Sequence, residues 1–140
     1  MKGNYFLDTN IFIYSFDAKF PKKQSKAQQL INDGLNSEKG MVSSQVIQEF
    51  LNVATKKFIK PLSMVDAELY LSSVLLPLCK FYPDCEFFHK TLRIKSRFKF
   101  SFYDSLILTA AIESNCSLLY SEDFQDSQKI MNLTIKNPFL

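Results

Sequence analysis

The chain has 140 residues, 46% of them hydrophobic and 22% charged, and a formal net charge of +3. That length buries a core without metal or disulfide staples, and the composition excludes the disordered and fibrous classes. The three cysteines, Cys79, Cys85 and Cys116, form no CxxC pair, which excludes a disulfide framework and a cysteine zinc site.

A single domain over residues 1–140 is expected, in a reducing, cytoplasmic setting, because the first residues show neither a signal-peptide pattern nor a spanning run of ~20 apolar residues. Fourteen Phe and six Tyr with no Trp predict a core filled by aromatic rings.

In chain order, NYFL (4–7) reads as a short buried strand, broken at Asp8 and followed by a helix from about Thr9. KKQSKAQQLIND predicts a helix that ends at Gly34, and MVS (41–43) a second strand whose serines suit capping of the helix QVIQEFLNVATKKF. Pro61 breaks that helix. SMVDAELYLSSVL begins another behind a Ser cap, and LPLCKF, with Pro77 and Pro83, reads as extended or irregular. Residues 84–95 read as a helix, SFYDSLILTAAIES as a strongly apolar one, SLLYS (117–121) as a buried strand and NLTIKNPF as a last strand. The resulting order, β-α-β-α-α-α-α-β-α-β, argues for an α/β fold with a central parallel sheet between helices. In such sheets ligands gather at the carboxyl ends of the strands.

Acids fall at that edge. Asp8 directly follows the first strand, where it either caps the helix or enters a site. Around the helix from Val46, Glu49 lies on the border of the apolar arc, about 40° from Val53. Asp104 falls on the buried arc of its helix between Leu108 and Ala111, with Ser105, Thr109 and Glu113 on the polar side, so it too caps its helix or faces an acidic pocket. After the SLLYS strand come Glu122, Asp123 and Asp126; Asp123, with Phe124 beside it as an anchor, is the best placed and Asp126 the reserve. Carboxylates so gathered raise each other's pKa unless divalent ions neutralise them, and an all-oxygen set favours Mg²⁺ or Mn²⁺ over zinc. The one histidine, His89, sits in a basic aromatic helix and reads as a packed or surface residue.

The stretches YFLDTNIFIY, SSQVIQEFLNV, FSFYDSLILTAAI and LLYSEDFQD, which span nearly the whole chain, resemble in order and spacing the motifs of PIN domains, and more narrowly of VapC-type toxin ribonucleases. The resemblance implies a three-layer α/β/α sandwich in which Asp8, Glu49, Asp104 and Asp123 bind one or two Mg²⁺ or Mn²⁺ ions. Asp8 and Asp104 would be the principal ligands, Glu49 a ligand or proton acceptor and Asp123 a ligand to a second ion. Thr9, Asn10 and Ser44 would orient these acids by hydrogen bonds. It further implies hydrolysis of RNA phosphodiester bonds, a cognate antitoxin and a homodimer. The basic residues Lys56, Lys57, Arg93, Arg97 and Lys99 would hold the RNA backbone, with Phe98, Phe100 or Tyr103 available to stack a base. Lys99 stands where a small loop residue is expected, and Ser127 where relatives often have Gly. Haloacid-dehalogenase-like phosphatases also follow a first strand with Asp, but they need a second Asp two residues on, where this chain has Asn10. A protein that binds RNA or a partner without cutting is the other alternative, though it would gain nothing from so repulsive a cluster.

Overall fold

The computed structural model describes residues 3–140. A buried strand β1 (Asn4–Leu7) leads through Asp8 into α1 (Thr9–Tyr14), and α2 (Pro21–Ser37) returns to β2 (Gly40–Ser43). Then come α3 (Ser44–Lys56) and α4 (Met64–Tyr70), a π-helical turn at Leu71–Leu75, the single turn α5 (Leu76–Leu78) and β3 (Cys79–Phe81). The chain continues through α6 (Cys85–Phe98), α7 (Phe102–Glu113), β4 (Cys116–Tyr120), β5 (Lys129–Ile130) and β6 (Leu133–Lys136).

The strands form one sheet in the order β3-β2-β1-β4-β6-β5, parallel except for the antiparallel β5–β6 pair. This is the expected α/β architecture with a central parallel sheet. β1 lies inside the sheet with Phe6 and Leu7 fully buried, which is why NYFL carries no polar alternation before its end. Because β1, β2 and β4 run the same way, their carboxyl ends share one edge. The register Leu7↔Tyr120 sets Asp8 beside Ser121 there. α6 packs on α7 and α7 on β4, while α1 packs on both α2 and α3. Much of the α1–α3–α4 junction is aromatic, with Phe12, Phe16, Phe58 and Tyr70 arranged around the buried Phe50 ring.

Several local expectations are corrected. Gly34 does not end α2, which runs on to Ser37 and is closed by Glu38 in the left-handed region at φ 62°. The glycine serves close packing instead: a Cβ on Gly40 would stand 2.6 Å from the Gly34 Cα, so helix and strand backbones touch here. The stretch LPLCKF, read as extended or irregular, is extended only in its second half: Leu76–Leu78 complete a helix, and Cys79–Phe81 form strand β3. Pro77 lacks the amide hydrogen of an ordinary helical turn, and the chain widens into the π turn just before it.

The middle of α7, residues 105–111, has no polar side: Ser105 and Thr109 are buried and turn their hydroxyls back to the carbonyls of Ser101 and Ser105, while Glu113 in the last turn is exposed as expected. No helix lies between the last two parallel strands among the described residues; residues 121–128 run as turns, and β5 replaces the helix. Both departures from the family pattern, Lys99 and Ser127, occupy the left-handed region at φ 64° and 65°, where glycine is the unstrained choice. No helix among the described residues is long and apolar enough to cross a membrane.

Candidate active site

Asp8 is 5% exposed, and both of its oxygens are met. Oδ1 accepts from the Thr9 amide at 2.7 Å and Oδ2 from the Ser121 hydroxyl at 2.7 Å. The capping reading is therefore half right: Asp8 is the N-cap of α1, yet it holds only the adjacent amide and spends its second oxygen across the sheet. Its pKa is pushed up to about 7, chiefly by burial, against the lowering effect of Ser121 and Thr9 and with further upward pushes from Asp123 and Glu49.

Glu49 sits half-buried one turn into α3, as its place on the border of the apolar arc predicts. Its Oε1 accepts from the Thr9 hydroxyl at 2.6 Å and its Oε2 from the Gln45 amide at 3.2 Å. Thr9 thus serves two acids at once, Asp8 through its amide and Glu49 through its hydroxyl.

Asp104 lies in the first turn of α7, but Ser101 is the cap, its hydroxyl accepting from the Asp104 amide at 3.1 Å. The Asp104 carboxylate is thereby left for the site, and its charge helps raise the pKa of Asp123. For Asp123 the larger influences are desolvation, which raises it, and the Asn10 amide, which lowers it; Glu122 and Glu49 add further upward pushes. The loop that carries Asp123 is pinned twice. Its amide donates to the Ser121 hydroxyl at 3.0 Å, and the neighbouring Phe124 is buried edge-on against Phe100 at 5.4 Å.

The other two acids of SEDFQD are occupied. Glu122 pairs with Lys23 at 2.7 Å and accepts from the Tyr14 hydroxyl, while Asp126 accepts from the Asn137 amide at 2.8 Å. Asp123 is the member of the three left facing the other acids.

Four carboxylates from four segments therefore gather at the carboxyl edge of the sheet, with Asp123 and Glu49 both acting on Asp8, and Asp104 and Glu49 both acting on Asp123. Among the described residues, no three His, Cys, Asp or Glu side chains are arranged to hold a metal ion as they stand. The donor chemistry nevertheless fits a hard divalent cation. The candidate donor atoms are all carboxylate oxygens, and the strongest influences on Asp8 and Asp123 include no basic side chain. Two polar groups of neighbouring residues also wait for a partner: both amide atoms of Asn10 and the Ser43 hydroxyl are buried without hydrogen bonds. Asn10 is close enough to favour the charged form of Asp123 without reaching hydrogen-bond geometry to it.

Ser44 opens α3 and makes no hydrogen bond to these acids, whereas Ser43 before it is the N-cap residue and bonds nothing with its hydroxyl. Lys56 and Lys57 are exposed at the end of α3, and Lys57 lines a hollow with Phe16, Phe58 and Lys60. Arg93 and Arg97 stand with His89 on the exposed face of α6, Arg97 over the Phe98 ring at 4.9 Å. Lys99 caps the end of α6. These five basic residues are all exposed, and none of them is among the groups that shift Asp8 or Asp123.

Two functional neighbours escape a reading of acids alone. Ser121 joins Asp8 to the Asp123 loop; its signal is its position, the first polar residue after β4, matching Asp8 after β1. Gln45 joins Glu49 to α7, and its only signal is the i, i+4 spacing to Glu49.

The model of the PIN domain family matches residues 5–128. Among solved structures, a toxin-antitoxin complex from Klebsiella pneumoniae contains a chain 16% identical, with a TM-score of 0.70 over 96% of this chain and 98% of that one. VapBC2 from Rickettsia felis, solved bound to a promoter DNA fragment, matches at 17% identity and a TM-score of 0.61, over 94% of this chain and 96% of its own. No curated protein matches the chain by sequence.

Proposed function

The chain belongs to the PIN domain family, and on that premise we propose that it is a Mg²⁺- or Mn²⁺-dependent endoribonuclease, the toxin of a toxin-antitoxin pair, acting as one domain in the cytoplasm. The observation that carries the reading is the meeting of Asp8, Glu49, Asp104 and Asp123 at one sheet edge, with Asp8 buried, pushed up to about 7 and without a basic partner. A buried carboxylate in that condition is costly unless a cation compensates it.

Asp8 and Asp104 would hold a divalent ion, with Glu49 beside them and Asp123 serving a second. When bound, such an ion supplies the Lewis acidity that brings a water towards ionisation at neutral pH and offsets the charge growing on a phosphate. The chain's own groups do the positioning. Thr9 and Ser121 hold the Asp8 carboxylate in one orientation, and Thr9 and Gln45 do the same for Glu49, which would serve as a further ligand or accept the proton of the attacking water.

Lys56, Lys57, Arg93, Arg97 and Lys99 would carry the RNA backbone past this acidic edge, and their exposure supports that role. Tyr103, 66% exposed beside Asp104, is the ring best placed to stack an unpaired base. The assignment to a toxin-antitoxin pair, with a cognate antitoxin as partner, draws support from the two fold matches, one solved as a toxin-antitoxin complex and the other as VapBC2 on promoter DNA; a homodimer is proposed from the family resemblance alone.

Cleavage of a pool of structured RNAs by the wild-type protein and Asp8→Asn, with Mn²⁺, Mg²⁺ or EDTA, tests the reading. Metal-dependent cutting that disappears in the variant is the expected result. Cutting that survives Asp8→Asn, or no cutting by wild type under any condition, would refute it.

A further inference from the structure

We propose that Gln45 is a positioning residue of the active site, setting Glu49 against the helix that carries Asp104; the inference rests on the nuclease reading above. Gln45 lies in the first turn of α3, four residues before Glu49, so both side chains leave the same face of the helix. Its amide nitrogen donates to Glu49 Oε2 at 3.2 Å and to the backbone carbonyl of Tyr103 at 3.3 Å. Both partners are pure acceptors. Only the NH₂ end of the amide can serve them, and its two hydrogens are matched by two oxygens.

The second bond matters because Tyr103 immediately precedes Asp104 in the first turn of α7. One amide therefore ties the acid of α3 to the backbone that bears the acid of α7. On its other oxygen Glu49 is held by Thr9, whose amide holds Asp8. Asp8, Thr9, Glu49, Gln45 and the start of α7 thus form one unbroken chain of hydrogen bonds, in which Gln45 supplies the link to α7. A neutral donor is also the apt choice. Glu at this position would set another carboxylate against Glu49, and Lys would bring a competing cation into a site that needs its negative charge.

Gln45 is half-exposed, and both of its bonds are long for N–H···O contacts, so its loss takes little from the folded state. Partners that orient a metal ligand from behind typically matter by ten- to a hundredfold in metal affinity. Gln45→Ala, and Gln45→Met as a donor-free side chain of similar length, are compared with wild type by calorimetric titration of the RNA-free protein with Mn²⁺. The same proteins are followed by thermal unfolding in EDTA and by cleavage kinetics.

Both variants are expected to bind Mn²⁺ about tenfold more weakly and to lose kcat with KM for RNA little changed, while unfolding in EDTA at the wild-type midpoint. In a Glu49→Gln background, Gln45→Ala should weaken Mn²⁺ binding no further, because the group it positions is gone. Wild-type Mn²⁺ affinity in Gln45→Ala and Gln45→Met, or an undiminished effect of Gln45→Ala in the Glu49→Gln background, would overturn the inference. If wild type binds Mn²⁺ and cuts RNA, such a result removes the role of Gln45 alone. If wild type does neither, the nuclease reading falls and this inference with it.

Discussion

In an Asp8→Asn protein the most buried carboxyl of the site becomes an amide of the same shape. The wild-type group has its pKa moved from 3.8 to about 7 by folding, and at about 1.4 kcal/mol for each pH unit this amounts to about 4 kcal/mol. The sign follows from proton binding. Between pH 4 and 7 the native state holds a proton that the unfolded chain has released, so stability falls as pH rises through this window. Above about pH 7 the whole penalty is present; below pH 4 both states are protonated and it vanishes. The upward-shifted Asp123 acts in the same direction.

Asn removes the penalty but keeps only part of the bonding. Its oxygen still accepts from the Thr9 amide, and its NH₂ can donate to Ser121, whose own hydrogen is then left without a partner at a cost of about 1–2 kcal/mol. The net expectation in EDTA at pH 8 is a gain of about 2 kcal/mol for Asp8→Asn, shrinking towards zero or reversing near pH 4. Urea unfolding of both proteins at several pH values between 4 and 8, without metal, measures it. The same variant should gain no stability from added Mn²⁺, which should stabilise wild type. A wild-type stability that is flat from pH 5 to 8, or an Asp8→Asn protein less stable than wild type at pH 8, would show that the carboxylate is already compensated and that the reasoning is wrong.

Two further outcomes follow from the packing of individual residues. Asp126→Asn weakens the acceptor for the Asn137 amide and should lower the unfolding midpoint slightly while leaving RNA cleavage intact, whereas Asp123→Asn should abolish cleavage without lowering that midpoint; thermal unfolding and cleavage rates on the two variants check the assignment, and loss of cleavage in Asp126→Asn would exchange their roles. Gly40→Ala puts a methyl group 2.6 Å from the Gly34 Cα, backbone against backbone, and should cost about 2 kcal/mol or more in urea unfolding; a neutral result would show that α2 is free to move away from the sheet.

The order of elements and the acids at strand ends are legible in the sequence because they rest on local rules. An apolar run that stops at Asp8 or Ser121 marks the carboxyl end of a strand, and a parallel sheet carries all such ends to one edge. The borderline placement of Glu49 follows equally from helical periodicity. What failed was decided by packing between elements, which residue type and local pattern do not encode. Gly34 reads as a helix stop from its own residue type, but the approach of Gly40 gives it a packing role inside α2. Ser105 and Thr109 look like a polar face until the surrounding layers bury α7 and turn their hydroxyls onto its backbone. Among Glu122, Asp123 and Asp126 the sequence favours Asp123 only through its neighbour Phe124; Lys23 and Asn137, at distances of 99 and 11 residues, occupy the other two and leave Asp123 facing the other acids. The sequence by itself determined which carboxylates reach the edge of the sheet. Only the tertiary structure decided which hydroxyls and amides meet them, because a hydrogen bond between side chains depends on positions within a few tenths of an ångström, and those are set by packing across the whole fold.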